Sequence, residues 1–584
     1  MKMKRVLCAT VIALAAAETF GATYYVAPAG KNTNKGTKDS PFATLNKANS
    51  VVNAGDTVWI RGGTYLHTDT NYVKNDNMFA GIHLTKSGSS DAKRIHYLAY
   101  PGEKPVIDFS KMPIADGSNN IRYTSGILIQ AQYLHLKGLE VKNVPMKGES
   151  NVGVYVSRSK HIFLELIDSH HNGGSGFFVN ERGSGSGGGH LFLNCDSHDN
   201  YDPNGRQGDG QNADGFGVHY QTGGDTTKFI GCRAWWNSDD GWDFISQEFP
   251  VVIENSWAMG HGYSNYGTGK PKDGNGNGFK AGSSKTGIRH TIRNCVAWKN
   301  KAAGFYANHS SGGNDWINNT AYMNGNGFNM WASTWDANGN RTDGVVLKGS
   351  KAHVMKNNIA FPNKTSYIGG NYAAGEYNTW NLNITPKESD FLSVSDPSMT
   401  VTGRELGPLG GALGPRKADG SLPDVDFLKL APKSQMIDKG VKAGLPYTGK
   451  APDLGAYEYG ATSSSSVVKS SSSAATVQSS SSSTEAVSSS SISESSSAVA
   501  SSSSSEVRTE SSSSITTSIT MKLSRETKVL GNASIFDLQG RYLGNLQAEQ
   551  LRDGDIAKAI RAKFGKSGVY LVKQEKKMIR ILTK

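Results

Sequence analysis

Four aspartates and one lysine stand in three short segments that align on a glycine–aromatic pair. The segments read N-A-D-G-F-G-V (212–218), S-D-D-G-W-D-F (238–244) and G-N-G-F-K-A-G (276–282). The charged residues in them are Asp214, Asp239, Asp240, Asp243 and Lys280. Carboxylates that crowd together repel one another unless a cation or protons neutralise them, and hard oxygen ligands with some geometric slack favour Ca²⁺ over Mg²⁺. The pattern predicts a Ca²⁺ site with a lysine beside it.

The same glycine–aromatic pair recurs at 176–177, 304–305 and 327–328, which indicates a repeat. If each pair belongs to one coil of a parallel β-solenoid, equivalent positions stack about 4.8 Å apart, with the aromatics inside. Side chains alternate across a strand, so the residue after each aromatic faces outward. This register predicts that Asp214 and Asp240 are neighbours on successive coils. It also predicts that Lys280 lies one coil beyond Asp243.

A second repeat supports the same register. Each unit ends in asparagine, with histidine once, at Asn172, Asn200, Asn237, His261, Asn300, Asn324 and Asn363. Asparagines stacked at solenoid corners can hydrogen-bond along the axis, so we expect a structural ladder. Cys195, Cys232 and Cys295 precede three of these asparagines at one constant spacing. They are therefore predicted to occupy an internal ladder position rather than to form disulfides.

The chain divides by composition into four parts. Residues 1–22 have a basic start and an apolar run, the pattern of a secretory signal peptide, so we expect export. Residues 23–460 form the predicted solenoid, with a capping helix near 42–52. Residues 461–520 contain 31 serines and are predicted to be a flexible tether. Residues 521–584 are predicted to form a small β-sandwich, with strands at 533–536, 568–572 and 578–582.

The net charge does not indicate a nucleic-acid-binding protein. The formal charge is +12, but residues 521–584 hold 14 Lys/Arg against 6 Asp/Glu, so +8 belongs to the tail. Any affinity of that tail for acidic polymers would be generic and sensitive to salt. We expect a monomer whose partner is a polysaccharide, with no nucleic acid bound.

A lysine beside Ca²⁺ suits proton abstraction next to a carboxylate. Ca²⁺ and desolvation lower the pKa of Lys280, whereas the aspartates raise it, and a net lowering would make the lysine a base. In a uronic-acid polymer the C5 hydrogen is made acidic by the attached carboxylate, whose charge a metal would neutralise. Loss of that proton and of the C4 glycosidic oxygen would cleave the chain by β-elimination.

The three motifs, in this order and spacing, resemble polysaccharide lyase family 9 over roughly residues 23–460. The resemblance implies a right-handed parallel β-helix, with Asp214, Asp239, Asp240 and Asp243 as Ca²⁺ ligands and Lys280 as Brønsted base. It also implies that the substrate is an acidic plant cell-wall polysaccharide of the pectate or polygalacturonate type. Separately, S-I-F-D-L-Q-G-R-Y (534–542) and G-V-Y-L-V-K (568–573) resemble C-terminal sorting modules of type IX secretion, which implies surface attachment or release.

The insertion at 260–277 lies near the charged cluster and is glycine-rich. Because loops on one face of a solenoid commonly form its binding groove, Lys270, Lys272 and Asn277 are predicted to contact the substrate.

Two alternatives remain open from the residues alone. Asn212–Asp214, Asp239–Asp240 and Gly260–Gly262 also imitate the motifs of β-helical polygalacturonases, which hydrolyse with paired carboxyl groups. In that alternative Asp243 and Lys280 have no obvious role, and His261 also fits a corner position of the ladder. The second alternative is a carbohydrate-binding or adhesive protein whose Ca²⁺ is purely structural.

Overall fold

The computed structural model describes residues 21–113, 123–145, 150–181, 187–203, 208–263, 274–282, 286–363, 368–369, 375–395 and 411–461, together with four strands of the C-terminal region. The chain divides into two compact units between residues 475 and 476. Lys270 and Lys272 lie outside the described residues, as do the signal-peptide segment up to residue 20 and the serine-rich segment from residue 462.

The first unit is built from three parallel sheets that the chain visits in turn. Sheet one has eleven strands, Thr23–Val26, Thr57–Ile60, Ile95–Ala99, Leu134–Lys137, Phe163–Glu165, Leu191–Leu193, Thr227–Ile230, Val251–Glu254, Thr291–Arg293, Asp315–Ile317 and Val354–Lys356. Sheet two has ten, Gly63–Leu66, Pro105–Asp108, Glu140–Lys142, Asp168–His170, Asp196–His198, Arg233–Trp235, Trp257–Met259, Val296–Trp298, Thr320–Tyr322 and Ile359–Ala360. Each strand pairs with its equivalent on the next coil, which is the arrangement of a parallel β-helix.

Sheet three carries the glycine–aromatic repeat. Its strands are Asn71–Val73, Met78–Leu84, Tyr123–Ile129, Ser150–Ser157, Phe177–Asn180, Phe216–His219, Trp242–Ile245, Phe279–Ala281, Ala303–Tyr306, Asn326–Asn329 and Ile368–Gly369. All pairs are parallel except Asn71–Val73, which runs antiparallel to Met78–Leu84. The described part of this unit also contains four short 3₁₀ helices, at Asp91–Lys93, Gly349–Lys351, Glu388–Asp390 and Gly411–Leu413.

Two-residue turns connect sheet one to sheet two and keep the coils in step. The first turn residue has a left-handed backbone in eight successive coils, at Gly138, Leu166, Asn194, Gly231, Asn255, Asn294, Asn318 and Asn357. Glycine and asparagine adopt this conformation at the lowest cost, which explains why they dominate the set.

The aromatic stack inside sheet three confirms the predicted register. Phe177, Phe216, Trp242, Phe279, Phe305 and Phe328 are direct strand partners in sequence. Neighbouring ring centroids are 4.7 to 5.1 Å apart, and every ring is fully buried. The stack holds successive coils at a constant spacing, so residues beside it are stacked as well.

The asparagine ladder and the cysteine position are also confirmed. Asn172 Nδ2 donates to Asn200 Oδ1 at 2.9 Å, and Asn200 Nδ2 donates to Asn237 Oδ1 at 2.8 Å. His261 continues the ladder, because its Nδ1 accepts from the Asn237 backbone N–H at 3.2 Å. The three described cysteines, Cys195, Cys232 and Cys295, are buried and free, at the second residue of the two-residue turn.

One helix, Leu45–Val51, lies against the N-terminal coil at the predicted place. Thr44 caps it, because its hydroxyl accepts from the Lys47 backbone N–H. Asn46 Nδ2 donates to the Gly81 carbonyl, and Asn49 Nδ2 donates to that of His83. These amides pair with backbone groups at the sheet edge that would otherwise remain open.

The segments 375–395 and 411–461 pack on the outer face of sheet two. They bury a second hydrophobic cluster in which Trp257, Val296 and Trp298 of the sheet meet Phe427, Leu430 and Leu454. Residues 436–460, at the end of the predicted solenoid, are therefore part of this cover. Within the described part of the chain, no helix is both long and apolar enough to cross a membrane.

The described strands of the second unit form one antiparallel sheet. Its order is Tyr542–Leu546, Ala533–Phe536, Gly568–Gln574 and Lys577–Thr583. The three predicted strands are present, and Tyr542–Leu546 is a fourth that the sequence analysis did not identify. These strands pair into a single sheet, so the predicted two-sheet sandwich is not confirmed.

Candidate active site

The structure brings the predicted carboxylates together on the outer side of sheet three. Gly217, Asp243 and Lys280 are direct strand partners on three successive coils. The Asp240 backbone N–H donates to Asp214 Oδ1 at 3.2 Å. One carboxylate oxygen from each of Asp214, Asp239 and Asp240 lies within 4.8 Å of the others. The adjacency predicted for Asp214 and Asp240 is therefore present.

Gly217 leaves space for the Phe178 ring beside this cluster. A Cβ atom at this position would lie 2.6 Å from the Phe178 ring and 3.7 Å from Asp214 Oδ2. The Phe178 ring thus fills the outward position at Gly217. A side chain there would have to displace this ring and would come into contact with Asp214.

Two residues of the segment before Lys280 orient the aspartates. The Asn275 backbone N–H donates to Asp239 Oδ1 at 2.5 Å. Asp240 Oδ1 accepts from the Asn277 backbone N–H at 2.6 Å and from Asn277 Nδ2 at 2.9 Å. These bonds occupy one oxygen of each carboxylate, and Asp240 Oδ2 lies 2.9 Å from Lys280 Nζ.

Asn277 occupies a different environment from the predicted one. Its side chain is buried, its amide nitrogen donates to Asp240, and its Oδ1 accepts from the Ala303 backbone N–H at 3.1 Å. Both ends of the amide are occupied by protein atoms, which favours a role in positioning Asp240. Its predicted contact with substrate, like that of Lys270 and Lys272, stays a prediction.

Lys280 is held among the carboxylates rather than in solvent. Its Nζ lies 2.9 Å from Asp240 Oδ2 and 3.0 Å from Asp243 Oδ2, and it donates to Asn275 Oδ1 at 3.0 Å. Only 8% of the residue is exposed. Burial lowers the pKa of Lys280, but Asp240, Asp243, Asp239 and Asp214 together raise it well above its usual value. The protein groups alone therefore do not produce the lowering that a base requires.

The aspartates form a site that suits a divalent cation. Burial, reinforced by neighbouring carboxylates, raises the pKa of Asp214 and of Asp239 well above the usual range. Asp243 Oδ1 is buried without a hydrogen-bond partner, and the second oxygen of Asp240 meets only the Lys280 ammonium. Repulsion among buried carboxylates and an unsatisfied oxygen are both relieved by a cation, and an all-oxygen donor set fits Ca²⁺.

His219 is a residue of this site that the sequence analysis missed. It lies on the strand that begins at Phe216, two positions after Gly217, so it faces outward as well. Its Nε2 is 3.8 Å from Asp243 Oδ2 and is buried without a hydrogen-bond partner. Burial and the charge of Lys280 lower the pKa of His219 to about 3, so the ring is neutral. Strand alternation continued by one step from Gly217 would have identified it.

His261 lies in the ladder and not in a hydrolytic site. It is fully buried, its backbone N–H donates to Asn300 Oδ1 at 3.2 Å, and burial lowers its pKa to about 3. A neutral, enclosed imidazole in a corner has no access to substrate. This contact pattern supports the corner interpretation over the polygalacturonase-like one.

Comparison with known proteins agrees with this geometry. The sequence model described as "Pel9A-like, right handed beta helix region" matches residues 24–341. Pectate lyase L of Dickeya dadantii is 32% identical over 436 residues, which cover 74% of this chain and 90% of that protein. Pectate lyase L of Paenibacillus polymyxa is 31% identical over 438 residues, 72% of this chain and 84% of that protein.

Two solved structures are similar over most of the chain. The crystal structure of pectate lyase Pel9A matches with a TM-score of 0.60 and 30% identity, covering 75% of this chain and 97% of that one. A rhamnogalacturonan lyase matches with a TM-score of 0.61 and 30% identity, covering 70% and 97%. These matches confirm the right-handed parallel β-helix. Because the sequence model spans more than half of the chain and relatives cover most of it, the chain is a polysaccharide lyase and belongs to the Pel9A-like right-handed β-helix family.

Proposed function

We propose that this enzyme cleaves a polygalacturonate-type polysaccharide by Ca²⁺-assisted β-elimination, with Lys280 as the base. The observation that carries the proposal is the position of Lys280 Nζ, about equally close to Asp240 and Asp243 at the edge of a carboxylate cluster. Once another cation neutralises these carboxylates, a lysine in this position can lose its own proton. Its neutral amine can then accept a proton from the substrate.

Asp214, Asp239, Asp240 and Asp243 are the proposed ligands of Ca²⁺. The bound ion would supply positive charge that neutralises the uronate carboxylate and stabilises the negative charge developing beside it. Ion binding would also compete with Lys280 for Asp240 and Asp243, and so remove the interactions that keep the ammonium protonated.

Lys280 then has a single task. Its neutral amine takes the C5 proton of the uronate, and the C5–H electron pair forms the C4–C5 double bond as the C4–O glycosidic bond breaks. The departing oxygen takes a proton from solvent, so water is not a nucleophile in the reaction. Asn275, which accepts a hydrogen bond from Lys280 Nζ, orients the amine.

The relatives support a galacturonate polymer as substrate, with two candidate classes. Pectate lyases from several bacteria are about as similar to this chain as the rhamnogalacturonan lyase is. Both polymers contain galacturonate with a carboxylate at C5, so the same proton abstraction applies to each. We favour pectate because the relatives that match the largest share of this chain are named pectate lyases. We also expect the enzyme to act as a monomer.

A comparison of polymers tests this proposal. Wild-type enzyme on polygalacturonate should release products that absorb ultraviolet light through the new double bond. Product from rhamnogalacturonan alone would select the second candidate. New reducing ends without ultraviolet absorbance would support the hydrolase alternative, and binding without cleavage would support the adhesive one.

We also propose that the protein is exported and that residues 521–584 attach it to the cell surface or direct its release. The support is the signal-peptide pattern of residues 1–22 and the sorting-module resemblance of the C-terminal strands. Mass spectrometry of protein recovered outside the producing cell should find a new N-terminus near residue 18 to 23. An intact Met1 on extracellular protein would contradict the signal.

A further inference from the structure

A short hairpin stands beside the active site on the side of the later coils. It consists of Ser333–Trp335 paired antiparallel with Arg341–Asp343, and Trp335 is the strand partner of Arg341. The hairpin follows Asn326–Asn329, which lies two strands beyond the strand of Lys280 in sheet three. It therefore adjoins the outer face on which Lys280 is presented.

Asp343 ties this hairpin to the coil next to Lys280. Its Oδ1 is 3.0 Å from His309 Nδ1 and also accepts from the Ser333 hydroxyl. His309 follows the strand Ala303–Tyr306, in which Tyr306 is the direct partner of Lys280. The position of the hairpin relative to Lys280 is thus set by hydrogen bonds.

Arg341 presents a cation from this hairpin to solvent. Its Nε lies 3.0 Å from Asp343 Oδ1, and 46% of its side chain is exposed. Among the described residues, its guanidinium makes no further hydrogen bond or ion pair. The Nη edge of the guanidinium therefore remains available for a carboxylate, which matches its planar geometry.

Tyr306 is the direct strand partner of Lys280 on the next coil, and that coil leads to His309, which contacts Asp343 of the hairpin. Burial raises the pKa of its phenol, as do the charges of Asp240 and Asp343, whereas the positive charges of Lys280 and Arg341 lower it. A polyanion that runs along the helix axis from Lys280 would pass the coil of Tyr306 before it reached the hairpin of Arg341.

We propose that Arg341 is a substrate-binding residue that holds a second carboxylate of the polymer, on the hairpin side of the sugar whose proton Lys280 removes. Tyr306 lies against the chain between these two carboxylates. The inference rests on the proposed function, because it takes the substrate to be a uronate polymer. It adds a named contact: a methyl ester on the second sugar would remove the charge that Arg341 binds.

Kinetics of matched variants test this role. Arg341→Gln should raise KM for polygalacturonate about tenfold while kcat changes less than about twofold, because a contact made equally in ground and transition states affects only KM. The KM of Arg341→Lys should lie between those of wild type and Arg341→Gln, since lysine keeps the charge but lacks the planar guanidinium that binds a carboxylate with two hydrogen bonds. Arg293→Gln, which removes a half-buried arginine paired with Glu254 on sheet one, is the control and should match wild type.

Highly methyl-esterified pectin is the second substrate in this kinetic test. Arg341→Gln should leave its KM within about twofold of wild type, because there are few carboxylates to lose. An unchanged KM on polygalacturonate would overturn the proposal. So would equal losses on both polymers together with a lower melting temperature, since that result would make Arg341 a structural hairpin residue.

Equilibrium binding separates this proposal from the proposed function. Calorimetry of an oligogalacturonate with Lys280→Ala, and with Lys280→Ala combined with Arg341→Gln, requires no turnover. About tenfold weaker binding by the double variant than by Lys280→Ala would support the role of Arg341. This holds even if the wild type releases no unsaturated product from polygalacturonate, because that result would refute only the proposed reaction on this substrate. Equal affinity, or binding by neither, overturns the Arg341 proposal.

Discussion

Lys280 has two competing roles, which its position in the sequence does not reveal. As one buried cation it compensates the carboxylates of Asp240 and Asp243, and as the proposed base it has to release them. A bound Ca²⁺ would resolve this conflict, because it would take over the compensation of the carboxylates. The protonation of Lys280 would then depend on whether the metal is bound.

Lys280→Ala should abolish elimination while the β-helix stays folded in Ca²⁺. Loss of a general base typically costs 10²- to 10⁴-fold in rate, so we expect a fall of at least about a hundredfold in kcat. Ultraviolet absorbance of the product measures it, with the exposed Lys228→Ala of sheet one as the control. A Lys280→Ala enzyme with normal elimination kinetics would contradict the assignment.

Metal removal should stop the reaction and weaken the fold locally. Chelator should abolish product formation, and added Ca²⁺ should restore it and raise the melting temperature, with about 2.7 kcal/mol gained at a hundredfold excess over Kd. Asp240→Ala should raise the Ca²⁺ concentration for half-maximal activity at least about tenfold, because it deletes a charged ligand. Full activity in excess chelator would refute the Ca²⁺ assignment.

At the scale of the element, the aromatic stack and the site are parts of the same strands. Trp242 is fully buried between Phe216 and Phe279, and Asp240 and Asp243 flank it in sequence. The stack sets the coil spacing, and the coil spacing sets how far the carboxylates stand apart. The packing inside the β-helix and the spacing of the carboxylates on its outer face are thus linked through a few backbone atoms.

Trp242→Ala should unfold or strongly destabilise the helix at the site. A large aromatic removed from a closed core typically costs about 3 to 5 kcal/mol. Trp242→Phe is the matched variant, because phenylalanine occupies both neighbouring positions of the stack, and it should retain most of the stability. Denaturant unfolding measures both, and equal stability of the two variants would mean that the cavity collapses without cost.

A polar cluster on the outer face of sheet two responds to pH. His198 Nε2 is 3.0 Å from Asp168 Oδ1, and its Nδ1 is 2.7 Å from Asp199 Oδ2. Burial opposes the charged form, but the two aspartates raise the pKa of His198 to about 9. His170 and His171 lie close to His198, with one ring nitrogen of each within 4.8 Å of the others, and the rings of His170 and His198 are stacked.

The raised pKa of His198 determines a direction for stability against pH. The folded state holds this proton more tightly than the unfolded state, so the contribution is complete below about pH 6.5 and is lost as pH rises towards 9. From the shift we expect about 3 kcal/mol at most. Unfolding of wild type and His198→Gln between pH 6 and 9.5 should show a decline in the difference between them. A difference that is constant with pH would contradict the charged state.

At the scale of the whole molecule, residues 375–395 and 411–461 are part of the β-helix unit and not an appendage. Arg233 of sheet two is paired with Asp196 at 2.6 Å, and its Nη1 donates to the Ala412 carbonyl at 2.7 Å. Arg416 reaches the same aspartate at 2.6 Å. This buried pair of arginines holds the covering segment on the tryptophans of sheet two.

Truncations should separate the covering segment from the C-terminal unit. A chain that ends at Gly460 should keep turnover and melting temperature, because the site and its cover are intact. A chain that ends at Ser395 should be insoluble or unfolded, because Trp257 and Trp298 lose Phe427 and Leu430. Loss of turnover in the longer chain would mean that the domain boundary is misplaced.

The register of the coils was predictable from the sequence alone, and with it the meeting of Asp214, Asp240, Asp243 and Lys280. The reason is physical: in a solenoid each coil contacts only its neighbours, so a glycine–aromatic pair that recurs along the chain determines which residues stack. The ladder at Asn200 and the buried position of Cys232 follow from the same local rule.

Features that depend on distant contacts required the tertiary structure. The cover on sheet two joins Arg233 to a carbonyl 179 residues later, and the sequence contains no repeat that relates the two. The hairpin of Arg341 reaches the site through His309 and Asp343, which belong to different turns of the chain. The protonation of Lys280 depends on summed charge and burial in three dimensions, which spacing along a chain does not contain.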